Sequence, residues 1–306
     1  MTLTFAFIQI LNGLQFGMIL FLIAAGLTLV FGVMDFINLA HGVQYMVGAY
    51  LVAAFTAATG SFFIGLALAL PAALLFGLLL EFLVFRHLYD RDHLDQVLAT
   101  FGVILFLNQG VKLVWGAEPL SVPIPDILSG AIELSDGILY PVYRLVIIGV
   151  GLLVGLLLYA IVNHTRLGML VRAGATNAPM VAALGVNIRL LFTIVFGTGA
   201  MLAALAGAMV APLLSVEPGM GDHVLILTFV VIVIGGIGSM RGAFVAALVI
   251  GLVDTLGRFV APNLLRAVFQ PATASQVGTA LAPMLIYLIM AGVLCFRPSG
   301  LFPMKH

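Results

Sequence analysis

GLTLVFGVMDFINLAHGVQYMVGAY, residues 26–50, is apolar enough to lie in a membrane, yet its middle carries four polar side chains. These are Asp35, Asn38, His41 and Gln44. If residues 35–45 form a helix with about 100° per residue, the first three and Tyr45 share about 120° of arc. A charged side chain at the centre of a bilayer costs at least about 2.5 kcal/mol, so such residues normally face a bundle interior or a watery path. The polar stripe therefore has two interpretations, a transport path or a seam that joins helices by hydrogen bonds.

The whole chain shares this apolar character. Of its 306 residues, 63% are hydrophobic and only 8% are charged, and the mean hydropathy is +1.26. Soluble globular proteins carry about 25% charged residues, so the composition predicts an all-α polytopic membrane protein with one transmembrane domain over residues 1–306. The net charge of zero gives no reason to expect a nucleic-acid partner. The lone Cys295 excludes a disulfide within the chain and a cysteine metal site.

Nine apolar runs predict membrane spans, because each is long and apolar on every face. The seventh is short and is either a full span, a half-helix or a re-entrant segment, so about eight or nine helices cross the membrane. The first run has no Lys or Arg before it and no small-residue cleavage pattern, which favours a true span over a signal peptide. The predicted spans are 6–32, 36–58, 62–85, 94–114, 141–162, 190–213, 224–238, 243–261 and 279–296.

The basic residues predict how these spans are oriented. With the N-terminus outside, eight of the twelve Lys and Arg residues fall on the cytoplasmic side, which favours an odd number of spans and a cytoplasmic C-terminus. The cytoplasmic residues are Arg86, Arg91, Arg166, Arg172, Arg189, Arg241, Arg297 and Lys305. The external residues are Lys112, Arg144, Arg258 and Arg266.

The longest external segment, about residues 115–140, is too rich in proline for a long helix. Within it, IELSDGILY favours a short hairpin with Asp136-Gly137 as the turn. The segment serves either as a docking surface for an external partner or as a solvated connector.

The internal segment, about residues 163–189, reads NHTRLGMLVRAGATNAPMVAALGVNIR and is basic. Pro179 suits the first turn of a short helix and Gly185 its end. Such a helix exposes an apolar face unless a cytosolic partner or the lipid surface covers it.

Glycines interrupt the apolar runs in two regions, residues 26–50 and 228–251, a weak sign of an internal repeat. Paired interrupted helices are a recognised indicator of a transport site. The small-residue spacings Ala203 to Gly207 and Gly238 to Gly242 also allow helices to approach closely. The glycines expected to break helices or to pack them are Gly32, Gly42, Gly235, Gly236, Gly238 and Gly242.

Several catalytic motifs are absent from the sequence. Neither Lys112 nor Lys305 follows a glycine, so the chain has no GxxxxGK[ST] phosphate loop. It also has no HExxH zinc motif, no GxSxG elbow and no credible triad. Asp254 lies four residues before Arg258, at ion-pair spacing. We therefore expect neither an enzyme active site nor a metal site.

Four ordered motifs resemble the permease subunits of the branched-chain amino acid type of ABC importer, and more narrowly the first of its two paired permeases. They are GLTLVFGVMDFINLAHGVQYMVGAY, VRAGATNAPMVAALGVN, GGIGSMRGAFVAALVIGLVDTL and the terminal RPSGLF. The resemblance implies a complex in the cytoplasmic membrane of a prokaryote. Its partners would be a second homologous permease, two cytosolic ATPases that bind ATP and Mg, an external substrate-binding protein and membrane lipid. No cofactor is expected in this chain itself.

The same resemblance implies alternating access driven by the ATPases. The candidate residues of the substrate path are Asp35, Asn38, His41 and Gln44, followed by Asn108 and Gln109. The candidate ATPase-coupling residues are Arg166, Arg172, Ala182, Ala183 and Gly185. The chain departs from the wider importer pattern of Glu-Ala-Ala followed by Gly, because Pro179, Met180 and Val181 occupy the first three places.

The leading interpretation is inward transport of branched-chain or related amino acids, and three other functions compete with it. An importer of the same type for urea and short amides, or for small aromatic acids, fits the same motifs. A self-contained secondary transporter would relay protons through Asp35 and His41. An intramembrane enzyme using the same two residues has no supporting constellation.

Overall fold

The computed structural model describes residues 3–135, 138–267 and 269–302, and within these ranges the chain is almost wholly helical. Two short strands, β1 (Ala131–Ser135) and β2 (Ile138–Pro141), form an antiparallel pair. The helices are α1 (Leu3–Met34), α2 (His41–Thr59), α3 (Phe62–Leu83), α4 (His93–Trp115), α5 (Val142–His164), α6 (Arg166–Ala183), α7 (Ile188–Val210), α8 (Met220–Gly235), α9 (Met240–Leu265) and α10 (Pro271–Phe296).

The polytopic all-α architecture is confirmed, since eight of these helices are long and apolar enough to cross a membrane. Each predicted span corresponds to one helix in the same order, and the seventh corresponds to α8, which is shorter than the others. With 16 residues, α8 is about 24 Å long at ~1.5 Å per residue, against ~30 Å for a hydrocarbon core. The predicted second span is wrong at its start, because residues 35–40 are not helical and α2 begins at His41.

Helix α1 is the central helix of the bundle. In its most apolar stretch 83% of the residues are buried, against 11% in α10. Glycine contacts bring its neighbours close: a Cβ on Gly17 would lie 2.9 Å from the Ala247 carbonyl oxygen of α9. A Cβ on Gly207 of α7 would overlap the Tyr45 carbonyl of α2. Close contacts between small residues are how membrane helices gain van der Waals energy without a hydrophobic drive.

The bundle has two distinct ends. At the hairpin end, Leu120 pairs with Val216, and the Tyr140 hydroxyl of β2 donates to Asn12 Oδ1 near the start of α1. The predicted hairpin is confirmed there, while its Asp136-Gly137 turn lies outside the described residues. At the opposite, α6 end lie α6, the loop between α3 and α4, the loop between α8 and α9, and residues 297–302.

The basic residues separate between these ends as the orientation prediction requires. Seven of the eight expected on one side lie at the α6 end, and Lys305 lies outside the described residues. Helix α1 begins at the hairpin end and α10 finishes at the α6 end, so the chain enters and leaves the described bundle at opposite ends. That the α6 end is cytoplasmic stays a prediction.

Candidate functional site

The linker of residues 35–40, here the α1–α2 linker, leaves the helical path at Asp35. Asp35 has φ of 47°, a left-handed conformation that ends α1, and its N–H donates to the Phe31 carbonyl at 3.0 Å. Asp tolerates this conformation better than most residues. The condition for the shared arc, a helix over residues 35–45, is therefore not met between Asp35 and His41. The Asp35 side chain is exposed, whereas Asn38 and His41 are fully buried.

A buried glutamine holds the linker in place. Gln96 Oε1 accepts from the Ile37 N–H at 3.1 Å, and Gln96 Nε2 donates to the carbonyls of Leu88 and Arg91 at 3.3 and 3.1 Å. Phe36 packs against neighbouring aromatic rings, including Phe85 at 5.5 Å between centroids. Sequence reasoning missed Gln96, which lies in the first turn of α4, because its partner Ile37 is 59 residues away in the chain.

His41 begins α2 deep inside the bundle. Its Nε2 lies 3.0 Å from the carbonyl oxygen of Ile23, which is about 16 Å before the end of α1 at ~1.5 Å per residue. A carbonyl can only accept, so Nε2 carries the hydrogen of the neutral ring. The other nitrogen, Nδ1, makes no hydrogen bond of normal geometry in the described part of the chain, and the polar side chain that interacts with this ring is Gln44, three residues along α2.

Two amides flank His41 without partners. Asn38 and Gln44 are almost completely buried, and neither end of either amide has a hydrogen-bond partner among the described residues. An unsatisfied buried polar group costs about 1–3 kcal/mol. Together with His41 they form what we call the buried polar segment, which offers both donors and acceptors inside an apolar bundle.

A second helix begins beside the first. A Cβ added at Gly42 would overlap the carbonyl of Gly221 in the first turn of α8. The Gly219 N–H, just before α8, lies 3.3 Å from Met46 Sδ. The N-termini of α2 and α8 are therefore neighbours, and helix N-termini favour negative charge. Paired helix starts at membrane depth can receive an anionic group.

An open polar face lies on α4 and α8 nearby. Asn108 Nδ2 is 3.5 Å from Asp222 Oδ2, and Asn108 Oδ1 is buried without a described partner. Asp222 and Gln109 are both exposed. Asn108 lies about 10 Å before the end of α4, at a depth where an exposed carboxylate on the adjacent helix is costly in lipid. This face therefore requires a polar neighbour. Asp222 was not predicted, although an acid in the first turn of an apolar helix was a visible signal.

The short helix predicted in the internal segment is confirmed as the second piece of α6. Asn177 interrupts α6 with φ of −157° and ψ of 87°, and its Oδ1 caps the new helix by accepting from the Met180 N–H at 2.9 Å. Pro179 lies in the first turn of this piece. Gly185 follows its end with φ of 87° and donates its N–H to Ala182 at 2.9 Å.

This second piece of α6 exposes an apolar face. Met180 is 62% exposed and Leu184 76% exposed, and the two lie one turn apart. Arg166, Ala182, Ala183 and Gly185 are likewise exposed. Arg172 differs from the other coupling candidates, because its guanidinium donates to the backbone carbonyl of Val162 on α5.

The predicted glycines lie where backbones meet. A Cβ on Gly32 would lie 2.9 Å from Gly238 Cα, and Gly235 and Gly242 pack backbone against backbone. Gly236 and Gly238 have φ of 104° and 78°, so they form the break between α8 and α9. Both glycine-interrupted regions thus contain a real break, at residues 35–40 and 236–239.

A buried carboxylate that sequence reasoning did not single out joins α3 to α7. Glu81 is 1% exposed and pairs with Arg86 at 3.1 Å, and it also accepts from the Thr193 hydroxyl at 3.1 Å. Tyr89 donates to its other oxygen at 3.1 Å. Burial, assisted by the Glu81 carboxylate, raises the pKa of the Tyr89 phenol, which therefore stays protonated and keeps donating.

Comparisons of the sequence with known proteins all point to one protein family. Residues 9–294 match the family model of the permease component of the branched-chain amino acid transport system. The chain belongs to this permease family. No solved structure matches it.

Named relatives of this permease come from several organisms. It is 29% identical to the high-affinity branched-chain amino acid transport system permease protein BraD of Pseudomonas aeruginosa, over 96% of this chain and 94% of BraD. It is 30% identical to LivH of Escherichia coli K12, a permease protein of the same description, over 81% of this chain and 84% of LivH. A LivH protein of Methanocaldococcus jannaschii is 26% identical over 81% of this chain and 80% of that protein.

Proposed function

We propose that this chain is the transmembrane permease subunit of an ATP-driven importer that moves branched-chain amino acids inward by alternating access. One observation carries the proposal: a member of this permease family holds two buried amides, Asn38 and Gln44, without hydrogen-bond partners among its described residues. Such groups are costly in a finished core, so they favour a role in contacting a transported polar solute.

The arrangement suits an amino acid. The neighbouring N-termini of α2 and α8 favour the substrate carboxylate. The free Nδ1 of His41 and the amide oxygens of Asn38 and Gln44 can accept hydrogen bonds from the substrate ammonium group. Asp35 lies apart from these groups, and Asn108 and Gln109 belong to the open face near the start of α8.

Partner subunits complete the proposed importer. Two ATPases bind ATP and Mg, and one of them covers the exposed face of Met180 and Leu184 at the end of α6. A second homologous permease covers the polar face of Asn108 and Asp222, and an external binding protein delivers the solute at the hairpin end. The complex lies in the cytoplasmic membrane of a prokaryote with its α6 end inside.

A self-contained proton-coupled transporter is the weaker proposal. It needs Asp35 and His41 to exchange a proton, yet Asp35 is exposed at the end of α1 while His41 is buried. Among the described contacts no hydrogen bond joins them, and His41 Nε2 is engaged by Ile23.

The decisive experiment replaces the unpaired amides by leucine, a side chain of similar size. Asn38→Leu and Gln44→Leu remove unsatisfied polar groups, so we expect an unchanged or higher thermal unfolding midpoint. ATP-driven leucine uptake by the complex in liposomes should fall about tenfold or more, which corresponds to losing ~1.4 kcal/mol of substrate interaction. Asn263→Leu, at an exposed asparagine on α9, is the matched control.

Two outcomes would overturn the proposal. A lower unfolding midpoint in both variants, with uptake per folded complex intact, would make the segment a structural seam. Uptake by this chain alone, without ATP and in response to a proton gradient, would support the secondary transporter. Competition of labelled leucine by urea, acetamide or benzoate distinguishes the other importer substrates.

A further inference from the structure

An apolar groove of about 590 Å³ opens on the outside of the bundle at its α6 end. It lies between α5 and α9, with α1 at its base and α6 at one end. Its walls include Phe21, Gly155, Leu156 and Phe244. Leu156 is 67% exposed, so the groove faces the surroundings of the helices rather than their interior. A groove in this position is in contact with the membrane.

Two arginines line the same end of the groove. The guanidinium of Arg172 donates to the Val162 carbonyl, and that of Arg241 lies over the Tyr159 ring at 5.6 Å from its centroid. Tyr159 and Val162 are three residues apart on α5, about 4.5 Å along its axis. Both guanidiniums therefore contact neighbouring positions on α5, and both line the groove at its α6 end.

Neither arginine has a carboxylate partner. The sequence contains no Asp or Glu between Asp136 and Glu217, and the nearest acid of α9, Asp254, is paired with Arg258 at 2.9 Å. In the described parts of the chain, neither Arg172 nor Arg241 takes part in an ion pair. A complementary ligand therefore has an anionic group at one end and a long apolar body.

We propose that this groove binds one anionic phospholipid, with its phosphate between Arg172 and Arg241 and an acyl chain along Phe21 and Phe244. Basic pockets between helices near the membrane surface are suited to anionic headgroups. The absence of a carboxylate among the groove's lining residues leaves nothing to receive the ammonium of a zwitterionic headgroup. This inference requires only that the chain spans a membrane, so it stands independently of the transported solute.

The lipid is a better occupant than free phosphate or a protein segment. Free phosphate would satisfy the arginines but leave the apolar walls uncovered. A protein segment would need its own acidic residue at the arginine end, because no carboxylate is among the groove's lining residues. The diacyl lipid supplies both parts in one molecule.

The test measures lipid binding by native mass spectrometry. The complex containing this chain is purified, delipidated and titrated with phosphatidylglycerol, phosphatidylcholine or inorganic phosphate. We expect phosphatidylglycerol to bind about tenfold more tightly than phosphatidylcholine, and this preference to disappear in an Arg172→Gln/Arg241→Gln double variant. Arg166→Gln, at an exposed arginine that does not line the groove, is the charge control.

A second pair of variants tests the apolar half of the groove. Gly155→Leu fills it, because a Cβ there already lies 3.2 Å from Phe21. Gly149→Leu adds the same side chain to open space on the same helix. The filled variant should lose phosphatidylglycerol binding while the Gly149→Leu control keeps it.

Four results would overturn the proposal. Equal binding of both lipids would remove the role of the headgroup charge, and full binding by the double arginine variant would remove the role of these arginines. Displacement of phosphatidylglycerol by inorganic phosphate would identify a simple anion site, and crosslinking from position 155 to a partner subunit would identify a protein interface.

Discussion

Gly26 lies where α1, α2 and α7 come together, and this position has no room for a side chain. A Cβ there would lie 2.5 Å from the Gly199 carbonyl oxygen and 3.0 Å from His41 Cε1. Gly26→Ala should therefore cost about 1–3 kcal/mol through overpacking and lower the thermal unfolding midpoint by several degrees. Size-exclusion chromatography after heating in detergent measures the midpoint.

The control for this prediction is a glycine on the outside of the bundle. Gly102 on α4 has no atom within 4 Å of its added Cβ. Ala favours helix over Gly by about 1 kcal/mol, so Gly102→Ala should be neutral or stabilising. Equal midpoints for the two variants would contradict the three-helix contact.

Single residues also mark the limit of sequence reasoning. The buried polar segment was found because Asn38, His41 and Gln44 are unusual in an apolar run. The break at residues 35–40 was not predicted, because no residue type there forbids a helix and the linker is held by Gln96 on α4. Glu81 was overlooked because its contacts are also distant in sequence: Thr193, which donates a hydrogen bond to its carboxylate, lies 112 residues away.

The second piece of α6 is an element whose exposed face has a predicted partner. Met180 and Leu184 are mostly exposed, so Met180→Glu/Leu184→Glu should leave the permease folded. If an ATPase docks on this face, two buried charges at the interface should lower ATPase recovery in an affinity pull-down about tenfold or more.

A matched variant separates docking from lipid contact. Met169, on the first piece of α6, is 55% exposed and equally apolar. Met169→Glu should leave ATPase recovery unchanged. Undiminished recovery with the double variant would instead favour a helix lying on the membrane surface.

Elements were more predictable from sequence than their junctions. Helix α4 lies within one residue of its predicted bounds, and the Pro179-to-Gly185 helix has Pro179 in its first turn and Gly185 at its end, as expected. The Asp254–Arg258 pair at four-residue spacing is likewise present. Hydrophobic runs and helix ends are properties of adjacent residues, whereas the contact of α2 with α8 depends on Gly42 meeting Gly221 across the fold.

At the scale of the whole molecule, the question is whether α8 carries the chain across the membrane. Its length alone is short of the hydrocarbon core, yet it begins beside Gly42 within the bundle and ends at the break that packs against Gly32. The preceding segment, residues 211–219, connects this start to the hairpin end, where Val216 pairs with Leu120. Segment and helix together run from the hairpin end to the α6 end, so with the eight long helices we expect nine membrane passages.

Cysteine accessibility tests this topology in a Cys295→Ser background. Ser129→Cys at the hairpin end should react with an impermeant maleimide in intact spheroplasts. Thr176→Cys on α6 and Ser299→Cys near the described C-terminal limit should react only after permeabilisation. All three native side chains are exposed, so none of the substitutions disturbs packing. If position 299 alone reacted like position 129, α8 would not cross and the bundle would have eight passages. Reversed labelling at all three positions would keep nine passages but place α6 outside, away from any cytosolic ATPase.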